Sequence, residues 1–395
     1  MLYDTVIVGG FGHVGLPLAI SLADKGQKVC AFDINREVGG LIEKGKMPFI
    51  EYGAEEILQR VINRQLFLAY DPQVIRETNT VIVIIGTPVD QHLNPELDPI
   101  IKLIEDYLDF FHDEQLVVLR STVYPGTSEK VKNWLHQYGK NVDVAFCPER
   151  IAEGYAIEEL QKLPQIISAF SPKGLERCRE LFSLLTDDII CLEPIEAELS
   201  KLFTNVWRYI KFATSNQFFM IANNHNVDFY RILHAMTHNY KRASDFASPG
   251  FAAGPCLFKD AMQLAAFNNN NFFLGHSAML INEGLPNYIV NKLKEKHPLQ
   301  ELTTGILGMA FKANIDDKRE SLSYKLKKIL MFESRKVLCS DCYIDDPKFI
   351  PHEQLIAQSD IVILGVPHTQ YKNICIPKDK VVVDVWNLWG NGCIV

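Results

Sequence analysis

The chain has 395 residues, 47% of them apolar and 22% charged, which excludes a disordered protein and is long enough for two or three buried cores. Its formal net charge of −8 excludes a nucleic-acid groove or an anionic membrane surface as the main partner, because both need clustered positive charge. No apolar run approaches the roughly 20 residues of a membrane span and the N-terminus has no signal-peptide pattern, so a cytoplasmic protein is expected. In chain order, Thr5, Val6, Ile7 and Val8 form a short β-branched run. Gly9-Gly10-Phe11-Gly12-His13-Val14-Gly15 follows at once, and residues 16–25 then place apolar side chains at helical spacing before Gly26. Strand, glycine turn and helix in that order are a dinucleotide-binding pattern. Gly10 is expected to permit the tight turn, Gly12 to let the backbone approach a pyrophosphate, and Gly15 to let the helix pack closely. Residues 28–32 read as a second strand ending at Asp33, whose carboxylate would accept the ribose hydroxyls and favour NAD over NADP; Arg36 nearby works against that preference.

Strand-like runs recur at residues 80–85, 116–119, 142–146, 166–170 and 188–192, separated by helical patterns at 100–111 and 173–185. The alternation predicts a doubly wound, mostly parallel α/β sheet with helices on both faces and a cofactor crevice at the carboxyl ends of the strands. Gly86-Thr87-Pro88-Val89-Asp90 and Arg120-Ser121-Thr122 occupy such ends. From residue 196 to about 224 the period becomes helical without Pro or Gly, through Leu199, Leu202, Phe203, Val206, Ile210, Ala213, Gln217, Met220 and Ile221. One helix on the order of 40 Å is expected, suited to joining domains and to packing against a second copy. After Lys296-His297-Pro298, buried strands are predicted at 302–307, 336–340, 361–364 and 381–385, making a smaller C-terminal α/β domain. Its first strand runs into Gly308-Met309-Ala310-Phe311-Lys312 with no second GxGxxG, so a nucleotide other than the cofactor would dock there. The expected division is 1–195, 196–298 and 299–395.

Nine cysteines without a disulfide framework fit a reducing compartment, and Cys30 and Cys191 read as core residues. Cys339 and Cys342 have CxxC spacing but no second pair, so no metal is expected. Cys256 differs. Gly254-Pro255 before it can open a helix, and a thiol at a helix N-terminus near Lys259 would be held below its usual pKa. A thiolate can trap an aldehyde carbon, and the thiohemiacetal can lose a hydride to become a thioester that water hydrolyses, so an alcohol ends as an acid. Asp260 lies one turn on, where it could orient or deprotonate that water, and Lys201 and Asn205, also four apart, could stabilise an oxyanion.

These motifs together resemble the nucleotide-sugar 6-dehydrogenase family, that is, the UDP-glucose/GDP-mannose dehydrogenases. The resemblance runs through Gly10 to Gly15, Gly86-Thr87-Pro88, Ser121-Thr122-Val123-Tyr124-Pro125-Gly126, Pro148-Glu149-Arg150-Ile151-Ala152-Glu153-Gly154, Lys201 with Asn205, Cys256 to Asp260, and Phe311-Lys312 with Arg319-Glu320-Ser321. It implies a Rossmann-like NAD domain, a central helical region that forms a homodimer, and a C-terminal domain that binds the nucleotide sugar. The implied catalytic residues are Cys256, Lys201, Asn205, Asp260, Glu149 and Thr122. The implied cofactor contacts are Gly10, Phe11, Gly12, His13, Val14, Gly15, Asp33, Thr87, Pro88, Ser121, Thr122, Glu153 and Arg319. The implied substrate contacts are Glu149, Arg150, Lys201, Asn205, Arg242, Phe251, Gly254, Phe311 and Lys312. For Lys312 and Arg319 a salt bridge to Asp316 or Asp317 is the competing reading.

Some positions depart from the family pattern: His13 replaces a Tyr, Tyr124 a Pro, Ala247 a Lys, and Phe251 to Gly254 a glycine-richer loop. Lys259-Asp260 points to the glucose and mannose branches. The expected activity is therefore NAD-dependent four-electron oxidation of UDP-glucose to UDP-glucuronate for polysaccharide biosynthesis. UDP-N-acetylhexosamine or GDP-mannose are alternative substrates, and a two-electron β-hydroxyacid dehydrogenase or a non-catalytic nucleotide-sugar sensor are rival readings.

Overall fold

Residues 1–87, 90, 98–393 and 395 are described by the computed structural model. Contacts divide them into two units, Met1–Thr204 and Asn205–Val395, with the boundary inside one long helix, Pro194–Asn224.

In the first unit, β1 (Thr5–Val8), β2 (Val29–Phe32), β3 (Leu66–Ala69), β4 (Thr80–Val83), β5 (Leu116–Leu119) and β6 (Asp143–Phe146) form one parallel sheet in the order β3-β2-β1-β4-β5-β6. Each run is nearly all apolar because both of its faces are covered. Val6, Val8, Cys30 and Phe32 join one core cluster, while Ile7, Ala31 and Ile82 join the other on the opposite face. Val6 pairs with Cys30 on one side and Val81 on the other, so β1 is central and the strand order reverses beside it. That reversal opens a crevice at the carboxyl ends of β1 and β4.

Two expectations change here. The strand β3 has no counterpart among the predicted runs, because Leu66-Phe67-Leu68-Ala69 lacks β-branched residues. The runs at 166–170 and 188–192 do not extend the main sheet. They shorten to β7 (Gln165–Ile167) and β8 (Ile189–Cys191), which pair with each other, and the chain just after β7 meets β6 at an antiparallel bridge between Ala145 and Ala169. At that edge Cys191 is exposed, not core.

The second unit holds the rest of the long helix, the helices Leu257–Phe267 and Phe273–Lys296, and a four-stranded parallel sheet. The sheet has the order β10-β9-β11-β12, from β9 (Thr303–Leu307), β10 (Lys336–Ser340), β11 (Ile361–Leu364) and β12 (Val381–Val383). Along the long helix, Val206, Tyr209, Ala213, Asn216 and Phe219 are buried. Phe203 and Ile221, placed in the apolar stripe by spacing alone, are instead exposed with Trp207 and Phe218. A helix with apolar residues on more than one face has some left over after its core is filled. The CxxC pair does not converge, since Cys339 packs in the larger cluster of this unit and Cys342 against the smaller one on the opposite face of the sheet.

Asp341 follows β10 with its side chain buried. Burial pushes its pKa up, but hydrogen bonds from His368 and from the Met309 and Tyr343 backbones outweigh that and hold it below the usual carboxylate value. A depressed folded-state pKa contributes stability above the unfolded value of about 3.9, and that contribution is lost as the pH falls through the folded value. Asp341→Asn should therefore lower stability by about 2–4 kcal/mol at pH 7. In urea titrations the gap to the parent protein should narrow below about pH 4; a gap that is constant with pH would contradict this account.

Candidate active site

The glycine turn joins β1 to the helix Gly15–Asp24, and no side chain caps that helix. The left-handed residue at the start of the turn is Gly9, at φ +77°. Gly10 is required by close approach, because a Cβ there would lie 2.7 Å from that of Ala31. Gly15 is likewise closed by the Gly9 carbonyl, 2.3 Å from an added Cβ, whereas Gly12 meets nothing nearer than 3.8 Å. The open face at Gly12 and the uncapped helix end are what a pyrophosphate needs, so the turn fits a dinucleotide. Asp33 follows β2 and ties the turn down: Phe11 N–H donates to Oδ2 at 3.4 Å and Asn35 N–H to Oδ1 at 3.1 Å. His13 stacks on Phe49 with ring centres 4.0 Å apart, and its Nδ1 lies 4.0 Å from Glu153. Arg36 lies over the ring of Tyr70, 4.7 Å from its centre.

At the ends of β4 and β5 the loops are cross-tied. The Ser121 hydroxyl accepts from Ile85 N–H at 2.8 Å, and the Thr87 hydroxyl donates to the Thr122 carbonyl at 2.6 Å. Pro88 lies outside the described residues. Beneath these loops Arg120 is wholly buried, its guanidinium over the ring of Phe182. It donates to Glu149 through Nε (3.0 Å) and Nη2, to the Cys147 carbonyl (3.1 Å) and to Gln165 (2.9 Å). The other Glu149 oxygen accepts from the N–H groups of Arg150 (2.6 Å) and Ile151 (3.0 Å). Four donors thus surround Glu149, and the Arg150 side chain donates to the Pro164 carbonyl. The resemblance implied Glu149 and Arg150 but gave no role to Arg120, which lies 29 residues before Glu149 and reads like any other loop cation. Glu51 was also missed; its buried carboxylate accepts from Gly154 N–H at 3.0 Å and Ala156 N–H at 2.6 Å, fixing the turn after Glu153.

In the second unit Cys256 is the exposed N-cap of the helix Leu257–Phe267, with no side-chain cap. Asp260 is fully buried one turn on. Its Oδ2 accepts from Asn205 at 2.5 Å and its Oδ1 from the Lys259 ammonium at 2.7 Å. Lys259 therefore serves Asp260. Asn205 is itself buried, on the long helix one turn after Lys201. The loop before Cys256 is held at Gly250, whose N–H donates to Asn216 at 2.8 Å and whose carbonyl accepts from the same amide at 3.0 Å; Asn282 holds that amide from behind at 2.9 Å. Phe251 is buried, and Gly254 at φ +103° has the Phe311 ring where a Cβ would stand, 2.6 Å away. A cavity of about 410 Å³ opens beside Gly254, Phe258 and Ser321.

Arg319 is bound to Asp317 by its Nε (2.8 Å) and Nη2 (2.6 Å), the salt bridge weighed above. Phe311 N–H donates to the Asp317 carbonyl at 2.9 Å, so Asp317 steadies both ends of the segment that carries Lys312. Arg242 is exposed on the short turn Lys241–Ala243.

Three models of the UDP-glucose/GDP-mannose dehydrogenase family match in order: the NAD-binding domain at residues 4–186, the central domain at 195–283 and the UDP-binding domain at 305–391. An NDP-N-acetyl-D-galactosaminuronic acid dehydrogenase of Ralstonia nicotianae is 26% identical over 98% of this chain and 96% of its own. Among solved structures, a UDP-N-acetylmannosamine dehydrogenase of Pyrococcus horikoshii has a TM-score of 0.91 at 25% identity, covering 99% of this chain and 97% of that one. A UDP-glucose dehydrogenase of Pyrobaculum islandicum has a TM-score of 0.88 at 25% identity, covering 97% and 94%.

Removing Arg120 strands a buried carboxylate. Arg120→Met should destabilise the protein by about 3–5 kcal/mol in urea unfolding, and adding Glu149→Gln should recover part of that loss. Equal stability of the single and double variants would show that the pair is not coupled.

Proposed function

We propose, from the premise that the chain belongs to the UDP-glucose/GDP-mannose dehydrogenase family, that it oxidises the C6 alcohol of a UDP-N-acetylhexosamine to the carboxylate through a covalent Cys256 intermediate. Gly10, Gly12, Gly15 and Asp33 would hold NAD at the glycine turn, and a fresh NAD for each of the two oxidations would supply the hydride acceptor. The single observation that carries the covalent step is the exposed thiol of Cys256 at an uncapped helix N-terminus with a buried acid one turn behind it. The positive end of a helix favours negative charge on the thiol and on an adjacent oxyanion.

In this reading the first oxidation removes a hydride and a proton from the C6 hydroxymethyl group to give the aldehyde. The Cys256 sulfur then bonds to C6, and the carbonyl oxygen becomes the thiohemiacetal oxygen. Loss of a second hydride and a proton gives a thioester, and water adds at C6 while the C–S bond breaks, releasing the acid and the thiol. Lys201 and the second amide N–H of Asn205 are assigned to the oxyanion, the first being committed to Asp260. Buried between Asn205 and Lys259, Asp260 sets the orientation of that amide and is assigned the proton of the hydrolytic water. Thr122 is assigned to holding that water. With four donors on its two oxygens, Glu149 holds the β5 and β6 ends in place.

The likeness to the Ralstonia and Pyrococcus dehydrogenases supports an N-acetylhexosamine over the glucose expected from Lys259-Asp260. The Pyrobaculum likeness supports UDP-glucose as a second reading. A panel of UDP-N-acetylmannosamine, UDP-N-acetylgalactosamine, UDP-N-acetylglucosamine, UDP-glucose and GDP-mannose should give two NADH per sugar with one UDP-N-acetylhexosamine. Turnover of UDP-glucose alone would transfer the assignment to the second reading, and tight binding with no NADH would favour a sensor. Cys256→Ala should cut acid formation by about a thousandfold or more; retained turnover would indicate a two-electron enzyme.

The exposed side chains of Phe203, Trp207, Phe218 and Ile221 on the long helix support a homodimer formed through that helix. Trp207→Glu should shift the protein from dimer to monomer in light scattering. A parent protein that is monomeric at micromolar concentration would refute the assignment.

A further inference from the structure

His368 is fully buried just after β11, against Asp341. Its Nδ1 faces the backbone N–H of Asn314 at 2.9 Å, and its Nε2 lies 3.1 Å from Asp341 Oδ2. A backbone N–H can only donate, so Nδ1 is the bare nitrogen and Nε2 carries the proton that it gives to Asp341. The geometry fixes the tautomer. It also decides between two readings of the cluster formed by Asp341, Cys342 and His368, whose ligand-type atoms lie within 4.8 Å of one another. A histidine that binds a metal through Nε2 normally donates from Nδ1, whereas this one accepts there, so the cluster is a hydrogen-bond junction.

What the junction holds is the loop after β9. Asp341 Oδ2 also accepts from Met309 N–H at 2.5 Å and Ala310 N–H at 3.0 Å, while its Oδ1 accepts from Tyr343 N–H at 2.8 Å and Ile344 N–H at 3.1 Å. Asn314, left-handed at φ 61°, is gripped a second time by its side chain, which accepts from the Thr369 N–H (2.9 Å) and hydroxyl (3.1 Å). The backbone is thus clamped at 309, 310 and 314. Between the clamps stand Phe311, whose ring closes on Gly254 of the loop before Cys256, and Lys312.

We infer that His368, acting with Asp341, is a positioning residue for the nucleotide sugar: it holds the segment that presents Phe311 and Lys312 in its binding shape. The inference rests on the reading above in which Lys312 meets that substrate. His368 touches no reacting atom, so its loss weakens binding far more than turnover at saturation.

The test measures KM and kcat for the nucleotide sugar, KM for NAD, the Kd of UDP alone by calorimetry, and the thermal midpoint. His368→Ala should raise the nucleotide-sugar KM and the UDP Kd about tenfold or more while kcat at saturation changes less than about threefold. His368→Asn, whose amide oxygen can replace Nδ1 as the acceptor for Asn314, should regain most of the affinity. In a Lys312→Ala background, His368→Ala should add little, because both changes remove the same contact. A full additive loss in that background, or a lower thermal midpoint with UDP affinity intact, would overturn the inference and leave His368 a residue of stability only. Parent protein that binds no UDP would instead overturn the nucleotide-sugar reading, and this inference with it.

Discussion

A carboxylate taken out of water loses several kcal/mol of hydration unless donors replace it, and the loops of this protein are organised by meeting that requirement. Five buried acids each accept from a segment distant in sequence. Glu51 holds Gly154 and Ala156, Glu149 holds Arg120, and Glu198 holds the N–H groups of Gly126 (2.5 Å) and Ser128 (2.9 Å). Asp260 holds Asn205, and Asp341 holds Met309 and Ala310. In four of the five, the donors include backbone N–H groups of a loop or of a helix start, so the acid fixes a main-chain path as well as a side chain. Such contacts penalise any other loop position with an unmatched buried charge, which gives them more weight than apolar packing in setting loop geometry.

This explains which parts of the molecule were legible in the sequence. Among the described residues, nine of the twelve strands lie in one of the two larger sheets and coincide closely with predicted runs, because an apolar β-branched run buried on both faces is a local signal. The glycine turn is local too: Gly10 has no room for a Cβ beside Ala31, and Gly9 just before it takes the left-handed conformation. The acid clamps are not local. Arg120 and Glu149 are 29 residues apart, Asn205 and Asp260 55, and Asp341 and His368 27. Nothing in either partner's neighbourhood announces the other. Failure at β7 and β8 has the same origin: whether a short apolar run joins a sheet or pairs beside it depends on an edge that the run does not encode.

The long helix shows the limit of periodicity from the other side. Its spacing correctly predicts one uninterrupted helix, but it cannot separate the apolar residues that face the core from those left outside. Tyr209, Ser215 and Asn216 are buried while Phe203 and Trp207 are not, so burial follows the polar network around Asn216 and Asn282 rather than hydrophobicity alone. The buried amides hold Gly250 through both its N–H and its carbonyl, a demand that an apolar side chain at 216 could not meet. The polar residues on this helix thus have the more demanding packing role, and the surplus apolar ones are available for another surface.

The chemistry proposed for Cys256 places opposed demands on one sulfur: it must attack an aldehyde as an anion and later leave from a thioester. A helix N-terminus serves both, because its aligned N–H dipoles stabilise negative charge on sulfur before attack and again at departure. Neither step needs the cation at Lys259, which is drawn to Asp260 at 2.7 Å. That pairing leaves Asp260 between an ammonium and an amide with its geometry fixed, so the donor set by Asn205 is in place before the oxyanion forms, and no reorganisation is required as charge develops. In the proposed chemistry, specificity for the sugar is assigned to the loop at Gly250 to Gly254 and the segment at Phe311 and Lys312, both of which are clamped by buried polar groups. The proposed separation is physically sensible: the thiol stands at a helix end and the oxyanion donors within the long helix, both rigid supports, while selectivity is assigned to loops held by buried anchors.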